Sequence, residues 1–142
     1  MTKQNNIDSY IKLFESLNLE NLNKFDELLD KNIYFEDPFN KVYGIENFKK
    51  IFSNTLKKLD NVEFKVLTII SKNNIYILKW EMIFFAFNKK NCIFGLSEVT
   101  VSKNKKIVSH VDYWDSYNNF YTKIPILGLI FQFILILVKK RI

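Results

Sequence analysis

The hydrophobic period of the chain changes at Asp60, and this change constrains the fold more than any other feature. Before Asp60, apolar residues recur every three or four residues, which is typical of amphipathic helices. After it, apolar and polar residues alternate in four segments, which predicts half-buried strands over 62–70, 75–87, 93–101 and 107–115. The linkers between these segments are short and polar, as antiparallel hairpins require. The order of elements predicts an α+β fold, with helices followed by a mostly antiparallel sheet.

Three helices and one early strand are predicted ahead of the sheet. The first helix covers 7–17, and a short second helix follows with Leu22, Phe25, Leu28 and Leu29 on its inner face. A third helix begins after Gly44. The segment IYFED, 33–37, predicts a strand that ends at Pro38, because proline has no amide hydrogen for the ladder. A strongly curved sheet closed by these helices would form a cone with an apolar interior. The residues expected to face that interior include Ile7, Tyr10, Ile11, Phe14, Leu17, Leu22, Phe25, Leu28, Leu29, Ile45, Phe48, Ile51, Phe52, Leu56 and Leu59.

Composition excludes several classes of protein. The chain of 142 residues is long enough for one domain with a core, and with 3 Gly and 2 Pro it is not typical of disorder. Its net charge is +6, but Arg141 is the sole arginine, so the chain can make almost no bidentate guanidinium contacts to phosphate or guanine. We therefore expect no nucleic-acid partner. Cys92 is the single cysteine, expected to pack beside a turn, and no Cys/His spacing indicates a metal site or cofactor. Together with a polar N-terminus, these features predict a cytoplasmic protein.

The C-terminal segment differs from the rest of the chain. Residues 124–138 are almost entirely apolar and are followed by Lys139, Lys140 and Arg141. A helix from Pro125 would be roughly 20 Å long, short of the roughly 30 Å hydrocarbon core of a bilayer. Two interpretations stay open: a helix buried against the cone or a partner subunit, and a membrane-peripheral anchor with its cations facing anionic head groups. We therefore divide the chain into a cone domain, 1–123, and an apolar helix with a basic end, 124–142.

The segment SHVDYWD, 109–115, contains the first candidate site residues. In a strand, His110, Asp112 and Trp114 share one face, and Tyr113 lies on the other as a secondary candidate. His110 is the only histidine, and a carboxylate two residues away could orient its ring for acid–base chemistry. The alternative is a strand-end pair in which Asp112 merely accepts a hydrogen bond from His110.

Asp37 is the third candidate for catalysis. It follows the early strand, where a carboxylate held in an apolar wall could accept a proton. The alternative role for Asp37 is a hydrogen-bond acceptor in the turn after the strand. A cone would bring Asp37 towards His110, among Phe14, Trp80 and Trp114, which we expect to line a pocket or fill the core.

The layout of residues 7–117 resembles the nuclear transport factor 2-like superfamily, which is cystatin-like in architecture, and within it the SnoaL-like and ketosteroid-isomerase-like branch. The segment EDP, 36–38, is similar to the segment that carries the general base in ketosteroid isomerases, which implies that role for Asp37. The isomerase pattern also has a tyrosine on the first helix and an acid on the third long strand, where this chain has Phe14 and Ser97. The resemblance further implies a hydrophobic cavity and a homodimer.

Three functions follow as hypotheses. The first is a SnoaL-like isomerase or cyclase that moves a proton beside a carbonyl of an apolar small molecule. In it Asp37 is the base, His110 the acid or relay and Asp112 the orienting group, while Phe14, Trp80, Ser97 and Trp114 bind the substrate. The second is a non-enzymatic lipid-binding or membrane-peripheral module that uses residues 124–142. The third is a structural domain whose side chains fill the cone. The epoxide-hydrolase branch, which uses an Asp–Arg–Asp set, is excluded because Arg141 stands alone at the terminus.

Overall fold

The computed structural model describes residues 6–86 and 88–141. The helices are α1 (Asn6–Glu15), α2 (Phe25–Leu28), α3 (Ile45–Lys58), α4 (Ser116–Asn119) and α5 (Leu127–Lys139). The strands are β1 (Leu29–Glu36), β2 (Lys41–Tyr43), β3 (Asp60–Lys72), β4 (Ile75–Ala86), β5 (Lys89–Val101) and β6 (Ile107–Trp114). Two 3₁₀ turns, Leu22–Lys24 and Tyr121–Lys123, precede α2 and follow α4.

The six strands form one curved, unclosed sheet in the order β2-β1-β6-β5-β4-β3. Neighbouring strands are antiparallel except for β1 and β6, which are parallel and pair Phe35 with His110. A parallel pair needs a long crossover connection, and here α3 and the β3–β5 meander supply it. The predicted α+β class and mostly antiparallel sheet are therefore confirmed.

Several element boundaries differ from the prediction. β5 begins at Lys89 instead of Ile93, because backbone pairing continues into the polar segment and joins Lys89 to Ala86. β3 likewise extends over Asp60–Lys72, and α1 ends at Glu15, two residues before the predicted end. Leu29, predicted on the second helix, is instead the first residue of β1. Ladder hydrogen bonds join backbone groups whatever the side chain, so apolar patterning marks the buried part of a strand but not its ends. Residue 87, the predicted end of the strand over 75–87, lies outside the described residues.

Aromatic side chains from the helices and β1 form the core. Phe48 on α3 is fully buried, and its ring packs 5.1 Å from Phe25, 5.3 Å from Phe35 and 4.8 Å from Phe52, measured between ring centroids. Most of these pairs are edge-to-face or tilted, the arrangements that aromatic quadrupoles favour. The core thus lies between the helices and one end of the sheet. The other end is left for a cavity.

The outward face of the sheet carries exposed apolar side chains. The exposed side chains include Phe94 and Leu96 on β5 and Tyr113 on β6. Cys92, on the same strand, is exposed as well, so its predicted packing role is wrong. It alternates with the buried Ile93 and therefore points outward. The homodimer stays a prediction. This face offers an apolar surface on which two copies could associate.

We expect Phe48→Ala to lower the free energy of unfolding by about 3–5 kcal/mol, because it leaves a cavity among the rings of Phe25, Phe35 and Phe52. Leu19→Ala is the matched control: Leu19 is 49% exposed, and its truncation should change stability by less than about 0.5 kcal/mol. Urea denaturation followed by far-UV circular dichroism measures both. Equal losses in the two variants would show that the aromatic cluster does not carry the core.

Candidate active site

A cavity of about 770 Å³ lies between α1, α3 and the concave face of the sheet. Its wall is mainly apolar, with Ile11, Phe14, Phe52, Leu78 and Met82 among the lining residues. The polar groups in the deeper wall come from Ser97, His110 and Asp112. Lining side chains that are exposed to solvent, such as Phe39 and Phe120, mark the open end. A cavity of this volume weighs against the hypothesis that the domain fills its own interior.

Three rows of side chains cross the sheet on this face, and the strand register sets them. The first row pairs Val99 with His110, and the second pairs Ser97 with Asp112. The third places Gly95 between the two tryptophans, since it pairs with Trp80 on one side and Trp114 on the other. Because side chains alternate along a strand, His110, Asp112 and Trp114 on β6 all point inward.

A chain of hydrogen bonds links these rows. The Tyr10 hydroxyl lies 2.6 Å from His110 Nδ1, and His110 Nε2 lies 2.7 Å from Asp112 Oδ1. Ser97 Oγ donates to the same Asp112 oxygen, and Trp80 Nε1 donates to Ser97 Oγ at 2.7 Å. Within the described residues all of the Asp112 contacts fall on Oδ1. Asp112 lines the cavity, so Oδ2 is the oxygen left for a bound molecule.

Donor and acceptor chemistry assigns the tautomer of His110. An ionised carboxylate can only accept, so Nε2 carries the proton that it donates to Asp112. In the neutral ring Nδ1 is then an acceptor, and the Tyr10 hydroxyl donates to it. In this neutral tautomer of His110, each polar side-chain atom from Tyr10 to Trp80 has a partner except Asp112 Oδ2.

Tyr10 is the site residue that sequence reasoning missed. It was expected only in the apolar stripe of the first helix, yet its hydroxyl is the group that contacts His110. The side chain is fully buried behind the imidazole and away from the cavity. Burial, and next the charge of Asp112, raise the pKa of the Tyr10 hydroxyl well above its ordinary value. Its position one helical turn before Phe14 was the available clue, because residues four apart share a helix face.

Asp37 lines the cavity at its open end, but its carboxylate is engaged in a turn. Oδ1 accepts from the backbone amides of Phe39 and Asn40, each at 2.7 Å. The Asn40 side-chain amide lies 3.0 Å from both carboxylate oxygens. This is the turn-acceptor arrangement named as the alternative for Asp37. The parallel pairing of Glu36 with Val111 brings the end of β1 beside Asp112, so Asp37 and Asp112 line one cavity.

The aromatic residues predicted to bind substrate all line this cavity. Phe14 packs 5.7 Å from the His110 ring, and Trp114 packs 5.2 Å from Phe39 at the open end. Trp80 lies directly over Gly95, where an added Cβ would meet the indole at 2.3 Å. Glycine at this position therefore lets Trp80 lie flat enough to reach Ser97. Tyr113 is 58% exposed on the opposite face and does not line the cavity. The functional roles of all these residues stay predictions.

Within the described residues, the C-terminal helix packs on little besides the turn that precedes it. Gly128 is its only buried residue, and Phe131 packs 5.5 Å from Tyr121. Among residues 6–86 and 88–141, no helix has the length and apolar character that crossing a membrane requires. The same residues contain no group of three or more His, Cys, Asp and Glu placed to hold a metal ion.

The curved sheet, the helices that close it and the cavity between them define a protein of the nuclear transport factor 2-like fold, which confirms the resemblance seen in the sequence. A nuclear transport factor 2-like protein of unknown function from Exiguobacterium sp. 255-15 is 14% identical, with a TM-score of 0.68 over 78% of this chain and 98% of that one. A putative isomerase of the SnoaL-like family from Agrobacterium tumefaciens is 15% identical, with a TM-score of 0.66 over 78% and 94%. An LEH-like epoxide hydrolase from M. tuberculosis is 14% identical, with a TM-score of 0.66 over 81% and 79%.

Residues 8–110 match the model of a family described as an uncharacterized conserved protein (DUF2358), and the chain belongs to this family. A search of curated protein sequences found no match. The structural likenesses, at 14–15% identity, establish the fold alone. The cavity of this chain has no arginine, because Arg141 is the sole arginine and does not line it.

We expect Tyr10→Phe to lower the free energy of unfolding by about 1–3 kcal/mol, because it leaves His110 Nδ1 buried without its donor. Tyr113→Phe removes an equivalent hydroxyl from the exposed face and is the matched control. Since His110 is the only histidine, ¹⁵N NMR of the imidazole reads its tautomer directly. The wild type should show the proton on Nε2, and a proton on Nδ1 would contradict the assignment.

Tyr10 also predicts a pH dependence. Because its pKa is raised in the folded state, the unfolded chain releases this proton at a lower pH than the folded protein does. The stabilisation is complete below about pH 10, the ordinary tyrosine value, and is lost as pH rises through the folded-state pKa. The stability difference between wild type and Tyr10→Phe should therefore shrink above pH 10, as urea titrations can measure. A stability difference that stays constant above pH 10 would contradict this prediction.

Proposed function

We propose that this protein binds an apolar, oxygen-bearing small molecule in the cavity and transfers a proton beside the carbonyl of that molecule. The observation that carries the proposal is Asp112, a carboxylate in an apolar wall whose Oδ1 is held by two donors and whose Oδ2 is left for the cavity. A fixed acceptor at the wall of a cavity is the arrangement that general-base chemistry needs. Names of fold relatives, such as the SnoaL-like putative isomerase, agree with this class of reaction.

Asp112 is a better base than Asp37, the carboxylate that the sequence predicted for this role. Both oxygens of Asp37 receive hydrogen bonds from its own turn, and that turn would lose them if the carboxylate moved or changed partner. Asp112 keeps one oxygen free while His110 and Ser97 hold the other. We therefore reassign the roles: Asp112 accepts the proton from carbon, and His110, oriented by Tyr10, positions Asp112.

The donors of the site limit the substrate class. Abstraction of a proton from carbon places negative charge on the carbonyl oxygen, and strong donors aimed at that oxygen usually lower the barrier most. Phe14 has no donor, and the Ser97 hydroxyl already donates to Asp112. We therefore propose a substrate whose carbon acid is activated by its own structure, with a second carbonyl or an aromatic ring beside the reacting carbon.

Non-enzymatic carriage of an apolar lipid is the second candidate function. The same cavity supports it, since its wall is mainly apolar and its volume of about 770 Å³ falls in the range of small-molecule sites. The two functions differ in what Asp112 does. A carrier uses the carboxylate only to hold a hydroxyl, whereas an enzyme depends on its basicity for turnover.

We expect 2-tetralone, an apolar bicyclic ketone, to bind with a dissociation constant at or below about 1 mM. Both tryptophans of the chain line the cavity, so their emission should change on binding. Thr55→Phe fills the cavity from α3 and should weaken binding at least about tenfold. Asn54→Phe adds the same ring on the exposed neighbouring position and is the control.

Two results would contradict binding in the cavity. One is equal binding of 2-tetralone by the Thr55→Phe and Asn54→Phe variants, which would place the ligand elsewhere. The other is unchanged tryptophan emission together with a native mass spectrum that shows no small-molecule adduct on the purified protein.

We expect the protein to accelerate exchange of the activated α-protons of 2-tetralone for deuterium in D₂O, followed by ¹H NMR. Asp112→Asn should lower this rate by about 10²-fold or more, the usual contribution of a general base. Glu98→Gln removes one carboxylate from the opposite face of β5 and should leave the rate unchanged. If Asp37→Asn lost the exchange activity while Asp112→Asn kept it, the general base would be Asp37. Binding of 2-tetralone without proton exchange would favour the lipid carrier.

A further inference from the structure

One face of α5 presents an apolar stripe that no described part of the protein covers. Leu129 is 72% exposed and Phe133 is 63% exposed, values far above those of ordinary core residues. Apolar residues are exposed around most of α5, including Leu127, Ile134 and Val138, but the most exposed ones recur at intervals of three and four and so centre on one side of the helix. This α5 stripe consists of Ile126, Leu129, Ile130, Phe133, Ile136 and Leu137. Contiguous exposed apolar surface of this kind indicates a partner or a lipid surface.

The opposite side of α5 holds the helix against the rest of the chain. A Cβ added at Gly128 would meet the carbonyl oxygen of Thr122 at 2.4 Å, so glycine permits the close approach of helix and turn. Phe131 packs on the Tyr121 ring nearby. Since these contacts orient the helix, the α5 stripe faces away from the domain.

Charge identifies the surface that would cover the stripe. From Ser116 to the end, the sequence contains four basic residues, Lys123, Lys139, Lys140 and Arg141, and no acidic one. The whole chain carries a net charge of +6. Cations beside an apolar helix face are the combination by which peripheral helices bind bilayers that contain anionic lipids.

The length of α5 determines how it would lie. Its 13 residues span about 20 Å, which is less than the roughly 30 Å of a hydrocarbon core. We infer that α5 docks in the plane of an anionic membrane, with the α5 stripe among the acyl chains and the basic end at the head groups. A protein partner with an apolar groove is the competing occupant, and the experiment below separates the two.

The docked helix would bring the open end of the cavity to the membrane. Phe120, Lys123, Ile124 and Pro125, which precede α5 directly, all line that end. Phe120 packs 4.9 Å from Phe39, which packs on Trp114 inside the opening. An apolar ligand would then enter from the bilayer, a step that rests on the proposed function, whereas docking itself does not.

Co-sedimentation of the full chain with vesicles tests the docking. Vesicles of equal parts phosphatidylglycerol and phosphatidylcholine should bind the protein, and pure phosphatidylcholine vesicles should bind it more weakly. Phe133→Glu should reduce binding at least about tenfold, because it places a charge among the acyl chains. Lys140→Gln should weaken binding about fivefold. Phe94→Glu makes the same change on the exposed sheet face and should bind like the wild type.

Three outcomes would overturn the docking: no sedimentation with either vesicle, equal binding by Phe133→Glu and wild type, or loss of binding in Phe94→Glu alone. A dimer in native mass spectrometry that Phe133→Glu converts to a monomer, without vesicle binding by the wild type, would assign the stripe to a second copy. Unchanged thermal unfolding of each variant shows that it is folded. None of these readouts depends on a ligand in the cavity, so they fail independently of the proposed function.

The orientation has its own measurement. In vesicles that include brominated phosphatidylcholine, Trp114 emission should be quenched in a Trp80→Phe variant, because Trp114 lies near the open end. Emission that stays unquenched while the protein sediments would show that the cavity opens away from the membrane.

Discussion

The parallel pairing of β1 with β6 joins the helical half of the chain to the meander, and the site depends on it. The pairing sets Phe35 beside His110 and Glu36 beside Val111, so the inward row of β6 lies under the first helix. Only there can Tyr10 reach the imidazole, and His110 is 4% exposed. A shift of one residue would turn His110 and Asp112 to the outer face, because side chains alternate along a strand.

The hydrogen-bond chain from Tyr10 to Trp80 compensates the cost of a partly buried carboxylate, Asp112. A charge in an apolar wall is costly unless hydrogen bonds compensate it, and Asp112 receives two on one oxygen. Such a network works as a unit, since the loss of one member leaves its neighbour unpaired. The same arrangement keeps the second oxygen in a defined place. Structural support and chemical capacity are therefore properties of one set of contacts.

The cavity and α5 divide the protein into a binding compartment and an exposed apolar surface. The turn Tyr121–Lys123 connects them, because it contacts α5 through Thr122 and contributes Lys123 to the open end of the cavity. An apolar ligand has low solubility in water, so a cavity that opens beside a lipid-binding helix would shorten its path. The fold relatives establish the fold alone, and α5 is a minor addition to it.

Local pattern determined much of this structure. The change of period at Asp60, the stop at Pro38 and the apolar stripes set the order and type of the elements, and alternation placed His110, Asp112 and Trp114 on one face. These features depend on neighbours along the chain, which a sequence displays. Only tertiary structure decided that Tyr10 contacts His110, that the Asp37 carboxylate belongs to its turn and that the α5 stripe is uncovered. Each of those depends on contacts between residues that are distant in sequence, or on the direction of a single side chain, and periodicity contains neither.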